Sequence, residues 1–328
     1  MSKLALSIAV GDYDRVRPLV DGEAPIDGVD PVFLLLEPEE IFFRAFRHQE
    51  FDACELSLSS FAVRASRGDN PYVGVPVFTS RAFRHTAITV RKDRIRSPLD
   101  LAGKRIGLPE WQLTACVWAR ALIEEYGVDL RDIAWVRGGI EEAGRVEKID
   151  LKLPEGIRLE DAPGDRSLSQ MLEDGDLDGI VAPRVPSCQT RGAPHIGWLF
   201  DDTRAEAEAW YRRTGIFPIM HLLGVRKTLV EQHPWLPATI LKAFTQAKAV
   251  AMAKLADTAS AKVTLPFVED QHLAAQKLMG RDYWPYGVEP NRHVIDTFLG
   301  HHHRQGLSSG SLQARDLFHP TTWESAKI

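Results

Sequence analysis

The chain has 328 residues, 44% of them hydrophobic and 26% charged, which is the composition of a globular protein of about two domains. The net charge of −5 and the lack of a basic stripe argue against nucleic acid as a partner. No run of roughly 18 apolar residues is present to span a membrane, so no membrane partner is expected.

Cys54, Cys116 and Cys188 are sparse, odd in number and form no CxxC pair. That usage fits reduced thiols and a cytoplasmic setting. Residues 4–10 (LALSIAV) are a short apolar run, preceded by one Lys and closed by Gly11 and Asp12. They read as a buried strand and make a poor secretory signal. Ligands of open α/β sheets bind at the carboxyl ends of strands, so Tyr13 and Arg15 are binding candidates. The alternative for both is a solvated loop.

Residues 32–36 (VFLLL) are a second strand. A helix over 38–47 opens with Pro38 and two acids and turns Ile41, Phe42, Ala45 and Phe46 to the core. Residues 51–60 (FDACELSLSS) form a short strand entering a serine-rich turn, with Glu55, Ser57, Ser59 and Ser60 at the ligand end. A lone buried carboxylate is costly, so Glu55 needs a partner. An arginine of the basic loop that follows is the natural one.

A strand over 72–77 delivers that loop, 78–85 (FTSRAFRH), which carries Arg81, Arg84 and His85. Residues 86–93 are β-branched and strand-like, and 99–108 hold a DLAGKRIG turn and strand. Residues 109–114 (PEWQLT) open an amphipathic helix marked by Leu113, Cys116, Val117, Leu122 and Ile123. Free N–H groups at a helix start suit an anion, which makes Glu110, Trp111, Gln112 and Thr114 candidates. Trp111 either stacks on an aromatic ligand or packs as a lid.

A strand over 133–136 is followed by a Gly- and charge-rich insertion, 138–166, read as a hairpin around the alternating piece 148–153. Ser167 and Gln170 form a capping box that opens a helix over 168–173. A helix-to-strand step spans 175–182, and Arg184 follows the strand end as a further binding candidate. Residues 202–214 read as a charged helix and 215–225 as an apolar strand with His221 in its middle. A lone His on such a strand is ordinarily a satisfied core residue. Two of them, His85 and His221, at both putative crossings between lobes are put forward as catalytic and able to approach each other. A core helix spans 237–254, the aromatic loop 282–287 (DYWPYG) rims the ligand site or meets another subunit, and His301, His302 and His303 read as surface.

A basic loop, a crossing strand, a DLAGKRIG element and a return strand together resemble bilobed solute-binding proteins. The implied fold is α/β and two-lobed, of the type 2 periplasmic-binding-protein kind. Each lobe is a mixed sheet flanked by helices, and a ligand cleft lies between them. Lobe 1 would take residues 1–85 and 222–328, and lobe 2 residues 86–221. Longer strings are more specific: LALSIAVGDYDR at 4–15, EFDACELSLSS at 50–60, PVFTSRAFRH at 76–85, GLPEWQLT at 107–114 and GIFPIMH at 215–221. They resemble the 4,5-dihydroxyphthalate decarboxylases of bacterial phthalate degradation. The resemblance implies a cytoplasmic, homo-oligomeric carboxy-lyase that makes protocatechuate and carbon dioxide from a small aromatic dicarboxylate. No catalytic residue is carried over from it.

The site follows from the chemistry. Direct loss of carbon dioxide would leave an aryl carbanion. Protonating the ipso carbon first avoids it, because the para oxygen pushes electrons into the ring. The protein must then hold carboxylates, polarise phenols and deliver a proton. Arg15, Arg81, Arg84 and Arg184 suit the first role, since guanidinium forks match carboxylates. His85 and His221 suit the others near neutral pH. Glu55 or Glu110 tunes a His or accepts a phenol proton. No GxGxxG, GxxxxGK[ST], HExxH or GxSxG occurs, and no cofactor is expected. A divalent metal on His85, His221 and Glu55 is the mechanistic alternative. The rival functions are a plain binding protein for an aromatic acid, a decarboxylase of a related hydroxyphthalate, another cytosolic enzyme of this fold such as a menaquinone-pathway or pyrimidine-precursor synthase, and a regulator's effector domain. No helix-turn-helix segment supports the last.

Overall fold

The computed structural model describes residues 3–145, 147 and 149–323. Among these residues the strands are β1 Leu4–Val10, β2 Val29–Leu35, β3 Ala53–Ser57, β4 Tyr72–Arg81, β5 Ile88–Arg91 and β6 Arg105–Leu108. They continue with β7 Ala134–Arg137, β8 Arg158–Asp161, β9 Gly179–Val181, β10 Ile196–Trp198 and β11 Ile219–Arg226. Two compact units result, one of residues 1–81, 219–296 and 312–328, the other of 82–218 and 297–311.

The first unit holds a mixed sheet in the order β2-β1-β3-β11-β4. β1 runs parallel to β2 and β3, and β11 runs antiparallel to β3 and β4. The continuous apolar reading of β1 has a physical basis: Ile8, Ala9 and Val10 are wholly buried, as expected of a strand covered on both faces. β3 is central, and all five of its residues are buried. It runs straight into the helix Leu58–Arg67, whose N-terminus is capped by Ser57 and whose end is set by Gly68 at a φ of 73°.

The second unit holds a mixed sheet in the order β10-β5-β9-β6-β7-β8. β6 is parallel to β7 and β9, and β5 is antiparallel to β9 and β10. The capping box at Ser167 and Gln170 forms as its spacing predicts and opens the helix Leu168–Asp174.

Several expectations change. The basic segment 78–85 is not all loop, because β4 continues through Arg81 before the chain turns. His85 starts a short 3-10 turn, His85–Ala87, and the strand-like 86–93 narrows to β5. The insertion 138–166 is no hairpin. Among its described residues the one strand, β8, adds in parallel to the edge of β7, and residues 149–157 carry no strand; Lys148 of the alternating piece lies outside the described residues. The unit boundaries fall at 81/82 and 218/219, and residues 297–311 cluster with the second unit. Packing explains this last point: Phe298 lies 5.4 Å from the Trp118 ring, and Gln305 accepts from the Trp111 indole at 2.9 Å. The same packing buries two of the three histidines read as surface. His302 is fully enclosed, and His301 bonds Glu124 at 3.1 Å.

Candidate active site

In the first unit, the register of β3 and β11 sets the chemistry. His221 faces Ser57 across the sheet, and Glu55 lies on the adjacent diagonal opposite Leu223. Diagonal neighbours of this kind are within reach of long side chains. Glu55 Oε1 lies 2.6 Å from His221 Nδ1 and accepts the Tyr13 hydroxyl at 2.9 Å, while Oε2 accepts the Gly11 N–H at 2.9 Å. Glu55 is wholly buried. Burial would push its carboxyl up, but the bonds from His221, Gly11 and Tyr13 outweigh that and hold it below the usual range. The predicted arginine partner is therefore replaced by an imidazole, a phenol and a backbone N–H.

An ionised carboxylate only accepts hydrogen bonds, so His221 carries its proton on Nδ1. Nε2 is then the nitrogen left for proton exchange. Phe42 meets the ring edge-on at 4.9 Å. This half-buried aromatic was read as core, and helical periodicity alone could not separate it from Ile41 and Ala45, which are buried. Tyr13 keeps its proton, since burial and Glu55 push its pKa up. Gly11 matters sterically. A Cβ there would sit 2.5 Å from Tyr13 Cζ, so the chain can fold Tyr13 back over Glu55 only because residue 11 lacks one.

Arg15 lies between the rings of Tyr13 and Trp284, at 4.2 and 4.4 Å from their centroids. Its Nε donates to the Thr79 carbonyl at 2.9 Å, as does Nη2, and Nη1 bonds Asp14 at 3.1 Å. N–H groups on both terminal nitrogens remain for an anion. Arg81 is buried and bonds the Pro285 carbonyl at 2.8 Å and the Asn291 side chain. Ser57 accepts from the Ser60 N–H, and Ser59 is buried in the first turn of the same helix. Asn291 carried no signal in the sequence, because it joins Arg81 only through long-range folding, whereas Trp284 lies in the aromatic loop 282–287 that the sequence places at the rim of the ligand site or against another subunit.

In the second unit, His85 is 1% exposed and sits among Phe200, Trp210 and Phe83, at ring distances of 5.2, 5.8 and 6.5 Å. Neither ring nitrogen has a hydrogen-bond partner among the described residues. Burial, with Arg213 adding repulsion, lowers its pKa to about 4. Arg84 is half-buried and Arg184 is exposed.

The helix Thr114–Glu125 begins where predicted, but the residues before it are structural. Trp111 is wholly buried, donates from Nε1 to the Gln305 carbonyl at 2.9 Å, and faces the Arg120 guanidinium at 3.8 Å. Trp135 meets the same ring edge-on at 5.5 Å, so both ring contacts come from within the second unit. Glu110 is buried in an ion pair with Arg145 at 2.6 Å and accepts from Gln112 at 3.0 Å. Its charge is already matched, so it is a poor proton acceptor for a substrate. Gln112 and Thr114 are also buried. His85 belongs to the second unit, and Glu55 and His221 to the first.

No protein-family model matches the chain. A 4,5-dihydroxyphthalate decarboxylase of Comamonas testosteroni is 60% identical over 330 residues, covering 100% of both chains. A protein of the same name from Pseudomonas putida is 59% identical over 214 residues, 65% of this chain and 83% of that one. Among solved structures, the periplasmic aliphatic sulphonate binding protein SsuA of Escherichia coli superposes with a TM-score of 0.54 at 13% identity, covering 98% of this chain and 99% of that one. The alkanesulfonate-binding SsuA of Xanthomonas axonopodis pv. citri, bound to MOPS, gives 0.52 at 13% identity, covering 99% and 100%. These distant likenesses show the fold alone: two lobes of the periplasmic-binding-protein kind.

Proposed function

The chain belongs to the 4,5-dihydroxyphthalate decarboxylase family, and from that premise we propose that it releases one carboxylate of 4,5-dihydroxyphthalate as carbon dioxide by protonating the ring first. The observation that carries the mechanism is the 2.6 Å contact between His221 Nδ1 and the buried Glu55 carboxylate. With Nδ1–H turned to Glu55, Nε2 is the proton-exchanging atom.

Each carboxylate of the substrate is para to a hydroxyl. Electron release from that oxygen makes the carbon bearing the departing carboxylate basic. In this proposal His221 Nε2 delivers a proton to that carbon. The C–C bond then breaks, its electron pair restores the aromatic ring, and carbon dioxide leaves. The product keeps the proton, and Nε2 takes another from solvent. Glu55 offsets the imidazolium charge during the cycle and fixes the ring orientation. Arg15 and Arg81 hold the carboxylate that stays. A strong ionic grip on the departing group would oppose its loss.

The two histidines are not equivalent candidates. His85, with a pKa of about 4, is neutral near pH 7 and is not the proton donor. His221 is the one with an orienting carboxylate.

No cofactor enters this mechanism. Among the described residues no group of three or more His, Cys, Asp and Glu is placed to hold a metal ion. The oxygens of Glu55 are already engaged by three donors, which makes it a poor ligand. A cytoplasmic setting and a homo-oligomeric assembly belong to the same proposal. Three buried free thiols support the former, and light scattering tests the latter.

The experiment mixes metal-stripped protein with 4,5-dihydroxyphthalate and follows carbon dioxide and protocatechuate. Full turnover is expected. Turnover only after adding a divalent ion would reassign His221 as a metal ligand. Tight binding without turnover under either condition would leave a binding protein.

A further inference from the structure

Tyr286 lies in the first unit, on the segment 282–287 that the sequence places at the rim of the ligand site or against another subunit. The segment is fastened along its length. Gly287 N–H donates to the Pro76 carbonyl at 2.8 Å, and the Trp284 indole donates to the Phe78 carbonyl at 2.8 Å. Lys248 Nζ donates to the Trp284 carbonyl at 2.9 Å and to Asp282 at 2.6 Å. Arg81 holds the Pro285 carbonyl at 2.8 Å.

This fastening buries Tyr286 to 7% exposure. Its hydroxyl has no hydrogen-bond partner among the described residues, although buried hydroxyls are almost always paired. For packing alone a phenylalanine would serve as well. Arginine charge lies close to it, since Arg81 bonds the carbonyl of the preceding Pro285. Burial keeps the proton on the phenol; Arg15 and Arg81 act on it with positive charge, and Asp14 and Glu55, more weakly, with negative charge. The Lys248 ammonium lies 5.0 Å from the ring centroid. Thr79, whose carbonyl anchors Arg15, has a second buried hydroxyl with no partner among the described residues.

We propose that the Tyr286 hydroxyl is a substrate-binding group that donates a hydrogen bond to the carboxylate the ring retains, in the same subsite as Arg15 and Arg81. This rests on the decarboxylase reading for the identity of the ligand. The assignment to the retained carboxylate follows from the chemistry, since gripping the departing one would slow its release.

The test is Tyr286→Phe, measured by steady-state turnover and by calorimetric titration with phthalate, which has both carboxylates and no hydroxyl, and with catechol, which has both hydroxyls and no carboxylate. KM should rise and phthalate affinity should fall by about tenfold, the loss of one hydrogen bond to a charged group. The kcat should change little, catechol binding should be unaltered, and the melting temperature should hold or rise. Unchanged KM and phthalate affinity would overturn the proposal, as would a loss confined to catechol. Should Tyr286→Phe fail to fold, Tyr286→Met removes the hydroxyl with a flexible apolar side chain, and the same two titrations decide. Wild-type protein that binds phthalate without turning over dihydroxyphthalate would defeat the decarboxylase reading. The phthalate titration of the variant would still decide the role of Tyr286.

Discussion

His221 Nδ1 and Glu55 Oε1 lie 2.6 Å apart, and the same oxygen accepts the Tyr13 hydroxyl. The buried carboxylate thereby selects the imidazole tautomer. Glu55→Gln keeps the volume and removes the selection, because an amide can donate to Nδ1 as readily as accept from it. We expect kcat to fall by about 10³–10⁴ with KM little changed, the pattern of a lost orienting carboxylate. His221→Ala should cost about as much, and the double variant little more, since residues acting as a unit are not additive. Circular dichroism must show all three folded. A Glu55→Gln enzyme within threefold of wild type would sink the dyad.

Gly11→Ala tests the geometry from the backbone side. Its Cβ would come within 2.7 Å of the Tyr13 hydroxyl oxygen, a distance at which the phenol must move. Glu55 then loses one of its donors while keeping the Gly11 N–H. The expected outcome is a drop of about tenfold in kcat/KM, roughly the value of one hydrogen bond to a charged group. Tyr13→Phe should give a similar drop, with no further loss when the two are combined. Rates for the two single variants and the double variant decide it.

His85 makes a prediction about stability and pH. Its folded pKa of about 4 lies below the ordinary histidine value, because burial disfavours the cation. The unfolded chain therefore binds a proton between pH 6.5 and 4 that the folded chain refuses. The stabilisation is complete above about pH 6.5 and is lost as pH falls through 4, a swing of about 3 kcal/mol at most. Glu55 adds in the same direction at lower pH: its folded pKa is also depressed, so its contribution is present above the unfolded carboxylate value and lost as pH falls through the folded one. His85→Gln should flatten the limb between pH 6.5 and 4 and leave the lower one. Urea titrations at several pH values measure both. An unchanged slope in that window would show that His85 is already protonated in the folded protein.

The places where the sequence breaks its own pattern were legible. Glu55 interrupts an apolar strand and His221 sits in the middle of another, and the fold brings the two into contact at 2.6 Å. Tyr13 and Arg15 followed from the rule that ligands meet strand ends. What failed was the assignment of partners. The mate of Glu55 is set by β3–β11 register across 166 positions of chain, which no local pattern encodes. The same limit explains Glu110 and Gln112. Arg145 reaches Glu110 and Glu147 takes the Gln112 N–H, each from 35 positions away, and neither meeting can be read locally. The burial of Tyr286 is not legible locally, because Lys248 and Arg81, which tie its loop down, are remote in sequence.

Trp111 separates a ligand-stacking role from a structural one. The indole is wholly enclosed, its Nε1 bonds the Gln305 carbonyl at 2.9 Å, and its ring meets Trp135 edge-on at 5.5 Å. On its face lies the Arg120 guanidinium, which is itself fully buried and whose pKa burial lowers to about 10. Trp111→Phe removes the N–H donor, leaves the Gln305 carbonyl short of a partner and weakens the ring–cation contact. The hydrogen bond and the ring–cation contact are worth about 1–2 kcal/mol each, and the smaller ring leaves a cavity besides, so a total of at least about 2–4 kcal/mol is expected. The denaturant midpoint should fall accordingly, while KM for 4,5-dihydroxyphthalate, measured well below the unfolding transition, stays the same. The reverse pattern, a raised KM with unchanged stability, would return Trp111 to the substrate and require the indole to leave the core it occupies.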